Sequence, residues 1–367
     1  MADVQRLLSL SVRGFRNLAA CTFEPGPAFN VIYGDNGQGK TNLLEAIDYV
    51  GELASFRGAR AEELVEHGQP RAELTAQMEG APLPREHRIM IPKSGARVVT
   101  VDGKRPRSRT SYQLEQQQVL FHAGDLTLTT GGPERRRVFL DRILEQFDAS
   151  YASALSTYDK ALRSRNKLLK AERPDRSAIT AYDELLASAG TVIAMARARL
   201  VVELAPRVVQ RFSEISDQGL ALFMQYQPRV EPTVEAMRHA LAQSLTKDLA
   251  RGFTAEGPHA DDLVIDLADT RARRFASQGQ HRAIVLALKI AELEELTARV
   301  GRVPILLLDD VSSELDRRRN QLLFQLLARL GGQVFLTTTH PEFILLDESR
   351  RDFVVDGGRI RQTTETL

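Results

Sequence analysis

Gly34-Asp35-Asn36-Gly37-Gln38-Gly39-Lys40-Thr41 is the stretch on which the reading of this chain turns. It satisfies G-x-x-x-x-G-K-[ST], whose glycines let backbone N–H groups close around phosphate oxygens where a Cβ would intrude. Upstream, Phe29-Asn30-Val31-Ile32-Tyr33 is an apolar strand that ends at the first glycine. Downstream the period changes, and Leu43, Leu44, Ile47 and Val50 share one helical face. Strand, glycine-rich turn and helix together aim the positive end of a helix at an anion. In that setting Lys40 is expected to reach the β- and γ-phosphates of ATP, and the Thr41 hydroxyl to ligate Mg²⁺. The plain alternative, a glycine-rich turn with a surface lysine, leaves the two flanks unexplained.

Farther along, Ile305-Leu306-Leu307-Leu308-Asp309 is an apolar run closed by a carboxylate. That pattern fits a central parallel strand, whose carboxyl end is where such sheets bind ligands. Asp309 is expected to hold Mg²⁺, and Asp310 to polarise the attacking water. Ser313-Glu314-Leu315-Asp316 then reads as a helix start with an acidic first turn. Ser277-Gln278-Gly279-Gln280 precedes another long helix and leaves two readings open. Ser-x-x-Gln is a capping box, yet a capped helix terminus is also an anion site that can serve another molecule's γ-phosphate.

The 367 residues are 43% hydrophobic and 26% charged, which suits a core-forming protein of two or three domains rather than a disordered or fibrous one. With 49 basic and 48 acidic side chains there is no global field for polyanions, so nucleic acid would need a local patch. Cys21 is the only cysteine, excluding an intramolecular disulfide and a cysteine zinc cluster. No apolar stretch approaches a membrane span, and a soluble cytoplasmic protein is expected. In the first strand, Leu8, Leu10 and Val12 alternate with Ser9 and Ser11. From Leu126 to Arg251 the patterns are helical: 135–147, 149–171 and 175–216, the last broken near Pro206. After Gly257-Pro258 a strand pattern returns at 263–267, followed by strands at 304–309 and 333–338. The predicted architecture is therefore an α/β ATPase lobe formed by residues 1–125 and 252–367, with an all-helical second lobe, 126–251, inserted in it.

The order cradle, helical insertion, Ser-x-Gly-Gln, Leu-Leu-Leu-Asp-Asp, Ser-Glu-Leu-Asp resembles an ABC-type ATPase head of the SMC-like kind. Arg13-Gly14-Phe15-Arg16-Asn17, the segment from Gly131 to Asp141, Arg165-Asn166-Lys167-Leu168-Leu169, Gly257-Pro258-His259 and Asp261-Asp262 narrow the resemblance to the RecF family of DNA repair proteins. The resemblance implies two heads that sandwich ATP, the cradle of one facing Ser277 and Gly279 of the other. It further implies an ATP-dependent homodimer that binds duplex DNA at gaps and works with RecR and RecO to load RecA in DNA damage repair. Two positions depart from the ABC pattern and a third keeps it. No glutamine stands in the inter-lobe turn 120–126, where Asp125 is the candidate to position water or Mg²⁺. Asp310 replaces the usual general-base glutamate, and its shorter side chain implies slow hydrolysis, which the resemblance further implies is stimulated by DNA. His340 stands where ABC heads keep a γ-phosphate-sensing histidine.

Lys160, Arg163, Lys167 and Lys170 recur at helical intervals, with Arg165, Arg173 and Arg176 nearby and only Glu172 and Asp175 opposing them. Such a stripe suits phosphate contacts without sequence readout, or is an ordinary solvated helix face. Lys104-Arg105-Pro106-Arg107 is a second basic run, as well explained by a loop or hairpin tip. Arg57 resembles an arginine that SMC-like heads use to couple DNA to ATP. The rival reading of the whole chain is the nucleotide-binding subunit of a membrane transporter, whose membrane contact would run through the inter-lobe turn.

Overall fold

This computed structural model describes residues 3–80, 83–216, 219–310, 317–344, 346 and 350–363. The chain divides into two compact units, Met1–Asp125 with Glu292–Leu367, and Leu126–Ala291.

In the first unit, five parallel strands run in the order Arg350–Asp356, Phe29–Tyr33, Val334–Thr338, Ile305–Asp309, Gln118–Phe121, with Arg359–Thr363 antiparallel at one edge. Ile305–Asp309 lies inside this sheet, and Ile305 to Leu308 are all buried, as expected of a strand covered on both faces. A second sheet is antiparallel: Cys21–Phe23, Leu7–Arg13, Arg71–Met78, Arg85–Pro92, Val98–Val101. The helix Lys40–Glu52 is buried over most of its surface. Its Leu43, Leu44 and Ile47 share one core with Leu74 and Ile89 of the antiparallel sheet and with Leu307 and Phe335 of the parallel one. A helix covered on several sides cannot rock, which fixes the glycine turn at its start.

The first strand differs from its expected alternation. The register shifts between Leu7 and Ser9, so Leu7, Leu10 and Val12 face the core and Leu8 faces solvent. One extra residue in a strand turns every preceding side chain to the other face.

The second unit is built on the helices Pro133–Glu145, Ala149–Leu169, Arg176–Ile215 and Val234–Arg251. It is not all-helical. Asp262–Leu267 pairs antiparallel with Leu222–Gln227 on one side and with Thr270–Arg271 on the other. Because those backbone bonds tie 262–267 to a strand of the insertion, the boundary falls between Ala291 and Glu292 rather than at 251/252. The expected break at Pro206 is also absent: the helix runs on for 40 residues, with Leu204 and Val208 buried on either side of the proline. Packing of those flanking turns offsets the lost hydrogen bond.

Arg165 belongs to this core. Fully buried, it donates to Asp183 at 2.7 Å, to Asp248 at 2.8 Å and to Thr254 at 2.8 Å. The next residue, Asn166, accepts from the Thr254 backbone and hydroxyl, each at 2.8 Å. Burial pushes the Asp183 carboxyl up, and the Arg165 hydrogen bond opposes it.

Candidate nucleotide site

The turn 34–39 joins the strand Phe29–Tyr33 to the helix Lys40–Glu52 with φ of +148°, +81° and +116° at Gly34, Gly37 and Gly39. At Gly34 glycine is demanded twice, since a Cβ there would stand 2.3 Å from the carbonyl oxygen of Val355. Neighbouring segments hold the turn in shape. The Gly358 N–H donates to the Gln38 carbonyl at 2.9 Å and the Gly357 N–H to Gln38 Oε1 at 2.7 Å. Asn17 Nδ2 donates to the Gly37 carbonyl at 3.3 Å, and Asn42 Nδ2 to Asn17 Oδ1 at 2.7 Å. Arg16 forks onto the buried Glu45 at 2.9 and 3.0 Å.

Within the cradle Lys40 Nζ donates to the carbonyls of Gly34 (2.7 Å) and Asp35 (2.9 Å). Burial lowers its pKa, while the carboxylates of Asp310, Asp309 and Asp35 pull it back up. An ammonium held between loop carbonyls and three carboxylates is poised for an anion.

Thr41 Oγ1 donates to Asp309 Oδ1 at 2.8 Å, and Thr337 Oγ1 donates to the same oxygen at 2.9 Å. The Thr337 hydroxyl in turn accepts from the Asp310 N–H at 2.9 Å. Asp310 itself stands in the left-handed region, φ +54°, a conformation that a non-glycine residue keeps only where its surroundings impose it. A hydroxyl and a carboxylate side by side are hard oxygen donors, which suits Mg²⁺ completed by phosphate oxygens and water. Among the described residues no cluster of three His, Cys, Asp or Glu side chains forms a preassembled metal cage.

The first unit therefore brings together Gly34 to Thr41, Asp309 and Asp310. His340 follows the neighbouring strand, its N–H bonded to Thr338 Oγ1 at 3.0 Å and its Nδ1 3.1 Å from Glu342 Oε1 on the exposed surface. Asp125 turns back on its own loop: its carboxylate accepts the His122 N–H at 2.9 Å and lies 3.4 Å from the ring nitrogen, and that ring packs on Phe56. Arg57 donates to Asn42 Oδ1 at 2.9 Å, one residue beyond Thr41, with its guanidinium 5.8 Å from the Phe56 ring. Ser313–Asp316 lie outside the described residues.

Ser277 stands in the second unit. Its N–H donates to Gln280 Oε1 at 2.7 Å and its hydroxyl accepts from the Gln280 N–H at 3.3 Å, so the capping box is formed. Ser277 and Gln278 are exposed at the start of the helix Gln278–Val300, with Gly279 half-buried. Lys160, Arg163, Lys167 and Lys170 are exposed on or just beyond the helix Ala149–Leu169. Arg165, counted with them from the sequence, is a core residue instead, because two buried carboxylates take its charge. Lys104 closes a two-residue turn with Val101, the hairpin tip of the second basic run.

The family model for the RecF/RecN/SMC N-terminal domain matches residues 6–351. This chain belongs to the RecF/SMC family. A DNA replication and repair protein RecF from Anaeromyxobacter sp. (strain Fw109-5) is 44% identical over 92% of this chain and 94% of its own. The RecF of Myxococcus xanthus is 41% identical over 92% of each. A solved structure of the recombination mediator protein RecF-ATP in the RecFOR pathway superposes with TM-score 0.89 at 32% identity, covering 98% of this chain and 99% of that one. An Smc head domain from Pyrococcus furiosus, 16% identical with TM-score 0.60, shares the fold. The RecF-like head is thus the fold read from the motifs, and these relatives set aside the transporter subunit.

Sequence reasoning missed Thr337. It was visible only as part of Thr337-Thr338-Thr339, with nothing to say which hydroxyl meets Asp309. Nothing in the motifs signals the bonds by which Asn17 and Gln38 brace the turn. Thr337→Val keeps the shape but leaves the Asp310 N–H without its acceptor, a cost of roughly 1–3 kcal/mol. ATP turnover is expected to fall about tenfold or more with a raised Mg²⁺ requirement, and Thr337→Ser to restore both. A Mg²⁺ titration of steady-state hydrolysis checks this.

Proposed function

We propose that this chain is an ATP-gated DNA-binding protein of recombinational repair: a homodimer closed by ATP and Mg²⁺ that binds duplex DNA at gaps, cooperates with RecR- and RecO-type partners in recombinase loading, and resets by slow hydrolysis. The observation that carries the reading is the hydrogen-bonded line Thr41–Asp309–Thr337–Asp310 at the mouth of the glycine cradle. Its relatives in the RecFOR pathway support the biological setting.

The backbone amides of 34–39 and the ammonium of Lys40 would hold the triphosphate, releasing Lys40 from the two loop carbonyls. Thr41 and Asp309 would hold Mg²⁺, which would supply neutralisation of the triphosphate's charge. Asp310, fixed by Thr337, would orient water at the γ-phosphate. Ser277 and Gly279 of a second copy would complete the pocket, His340 would sense the γ-phosphate, and Arg57 would report nucleotide to DNA through Asn42. Binding contacts present only in the closed dimer shift the monomer–dimer balance by their differential affinity.

Two experiments test this. Asp310→Asn is expected to cut turnover about 100-fold while sedimentation shows the dimer persisting with ATP; parental turnover would remove Asp310 from the mechanism. Changing Lys160, Arg163, Lys167 and Lys170 together to Glu is expected to weaken duplex binding at least tenfold and flatten its salt dependence. If both stay unchanged, DNA is held elsewhere.

A further inference from the structure

The small sheet of the second unit leaves part of one strand edge uncovered. Its middle strand, Asp262–Leu267, pairs along its whole length with Leu222–Gln227 on one side. On the other side Thr270–Arg271 covers only Asp266 and Leu267, after a tight turn through Ala268 and Asp269 at φ +48° and +62°. The chain then leaves the sheet as the short helix Ala272–Phe275. Hydrogen-bonding direction alternates along a strand. Leu267 faces Thr270 across the turn, whereas Ala268 sends its N–H the opposite way, to the Ala221 carbonyl at 2.9 Å. Two-residue steps back from Leu267 bring Ile265 and then Leu263 to the hairpin's edge. Leu263 lies beyond the last paired residue, and among the described residues no backbone group meets its N–H or C=O there.

That edge lies along a cleft of about 320 Å³, walled by Leu128 and Thr129 and rimmed by Arg271, Arg273 and Arg274. At one end the buried Arg136 forks onto Asp262 at 2.7 and 3.0 Å, and the two charges neutralise each other. At the other end Arg271 Nε lies 3.5 Å from Asp266 Oδ1. Arg273 Nε donates to the Thr130 carbonyl at 3.2 Å. Both Arg273 and Arg274 are exposed, and among the described residues no carboxylate pairs with either. Two uncompensated guanidinium groups therefore stand beside unpaired strand backbone.

This combination selects the occupant. An open strand edge is a template for another strand, and a guanidinium fork matches a carboxylate. Nucleic acid fits less well, because a sugar–phosphate chain cannot continue a β ladder and no aromatic ring lines the cleft to stack a base. We propose that the cleft binds an extended acidic segment of a partner protein, added as a strand beside Leu263 in line with Thr270–Arg271, with its carboxylates on Arg273 and Arg274. Main-chain bonds then supply affinity and alternate side chains the preference for acidic sequence. From Asp262 to Ile265 the edge spans about 13 Å at the rise of a strand, so the contact is short and its occupant exchanges readily. It needs no nucleotide.

The probe is a fluorescein-labelled hexapeptide of alternating aspartate and valine, followed by fluorescence anisotropy on the full chain without ATP. Saturable binding is expected. Replacing the aspartates by asparagine, or the protein by R273E/R274E, should each weaken it about tenfold or more, while the variant keeps its circular dichroism and ATP affinity. Methylated amide nitrogens in the peptide read the ladder without touching the protein. Methylation of one alternate set of residues should abolish binding and methylation of the other set should leave it in place, since only one set faces Leu263. No saturable binding, equal affinity for the asparagine peptide, unchanged affinity in a folded R273E/R274E, or equal loss with both methylation patterns would each overturn the proposal. So would displacement of the peptide by a duplex oligonucleotide whose own affinity falls in R273E/R274E, which would assign the arginines to a DNA surface instead.

Discussion

Lys40→Ala is expected to lower the affinity for ATP by about 100-fold, roughly 2.7 kcal/mol, and to abolish any ATP-dependent dimer with it. The ammonium now spends its hydrogen bonds on the carbonyls of Gly34 and Asp35, at 2.7 and 2.9 Å. A triphosphate offers fully charged acceptors in their place, and hydrogen bonds to charged groups contribute about 1.5–3 kcal/mol each. Removing the amine also leaves Asp309, Asp310 and Asp35 facing the incoming phosphates without a counter-charge. The same burial gives the site a pH signature. Because the Lys40 amine is held below the ordinary lysine value, its proton, and the affinity that depends on it, is lost as pH rises, at a lower pH than an exposed lysine would show. Isothermal titration with ATP across the alkaline range reads both effects. Unchanged affinity in the variant would remove the cradle from the account.

The second large effect is structural. Arg165→Ala is expected to destabilise the protein by about 3–5 kcal/mol, visible as a lowered urea midpoint by circular dichroism. The substitution strands Asp183 and Asp248 in a dry interior, where each had been paired at 2.7 and 2.8 Å. Breaking one partner of a buried ionic group costs far more than replacing the whole group. Replacing Arg165, Asp183 and Asp248 together by Met, Leu and Leu should therefore recover much of the loss. A shift below about 1 kcal/mol in the single variant would show the ion group to be dispensable.

That arginine shows where the sequence stops speaking. Lys160, Arg163, Lys167 and Lys170 read as an exposed stripe, and the helix Ala149–Leu169 exposes them. Arg165 has the same formal charge and the same neighbourhood in the chain. Its burial follows from Asp183 and Asp248, supplied by other helices, and no local pattern around residue 165 reports them. The strand at 262–267 was legible as a strand but not as a member of the insertion, because pairing with 222–227 is a long-range choice between two available edges. In 71–78, Ala72, Leu74, Ala76 and Met78 alternate with polar residues, so the antiparallel sheet was available to the period-2 rule and passed unread. The exposed apolar side chains of Arg176–Ile215 are a different case. A continuous apolar helix reads as core until packing shows which side stays open.

Turn chemistry and periodicity carried the cradle, the strand before it and the helix after it, since each depends on contacts within a few residues. The same short reach gave the order of motifs and so the resemblance of the whole. Folding decided the rest. The bond from Thr41 to Asp309 crosses 268 residues of sequence, and Thr337 enters from yet another strand. Which hydroxyl meets the carboxylate, which arginine is buried and which apolar side chains stay wet all depend on the register of distant elements, and that register is set by packing the whole core at once.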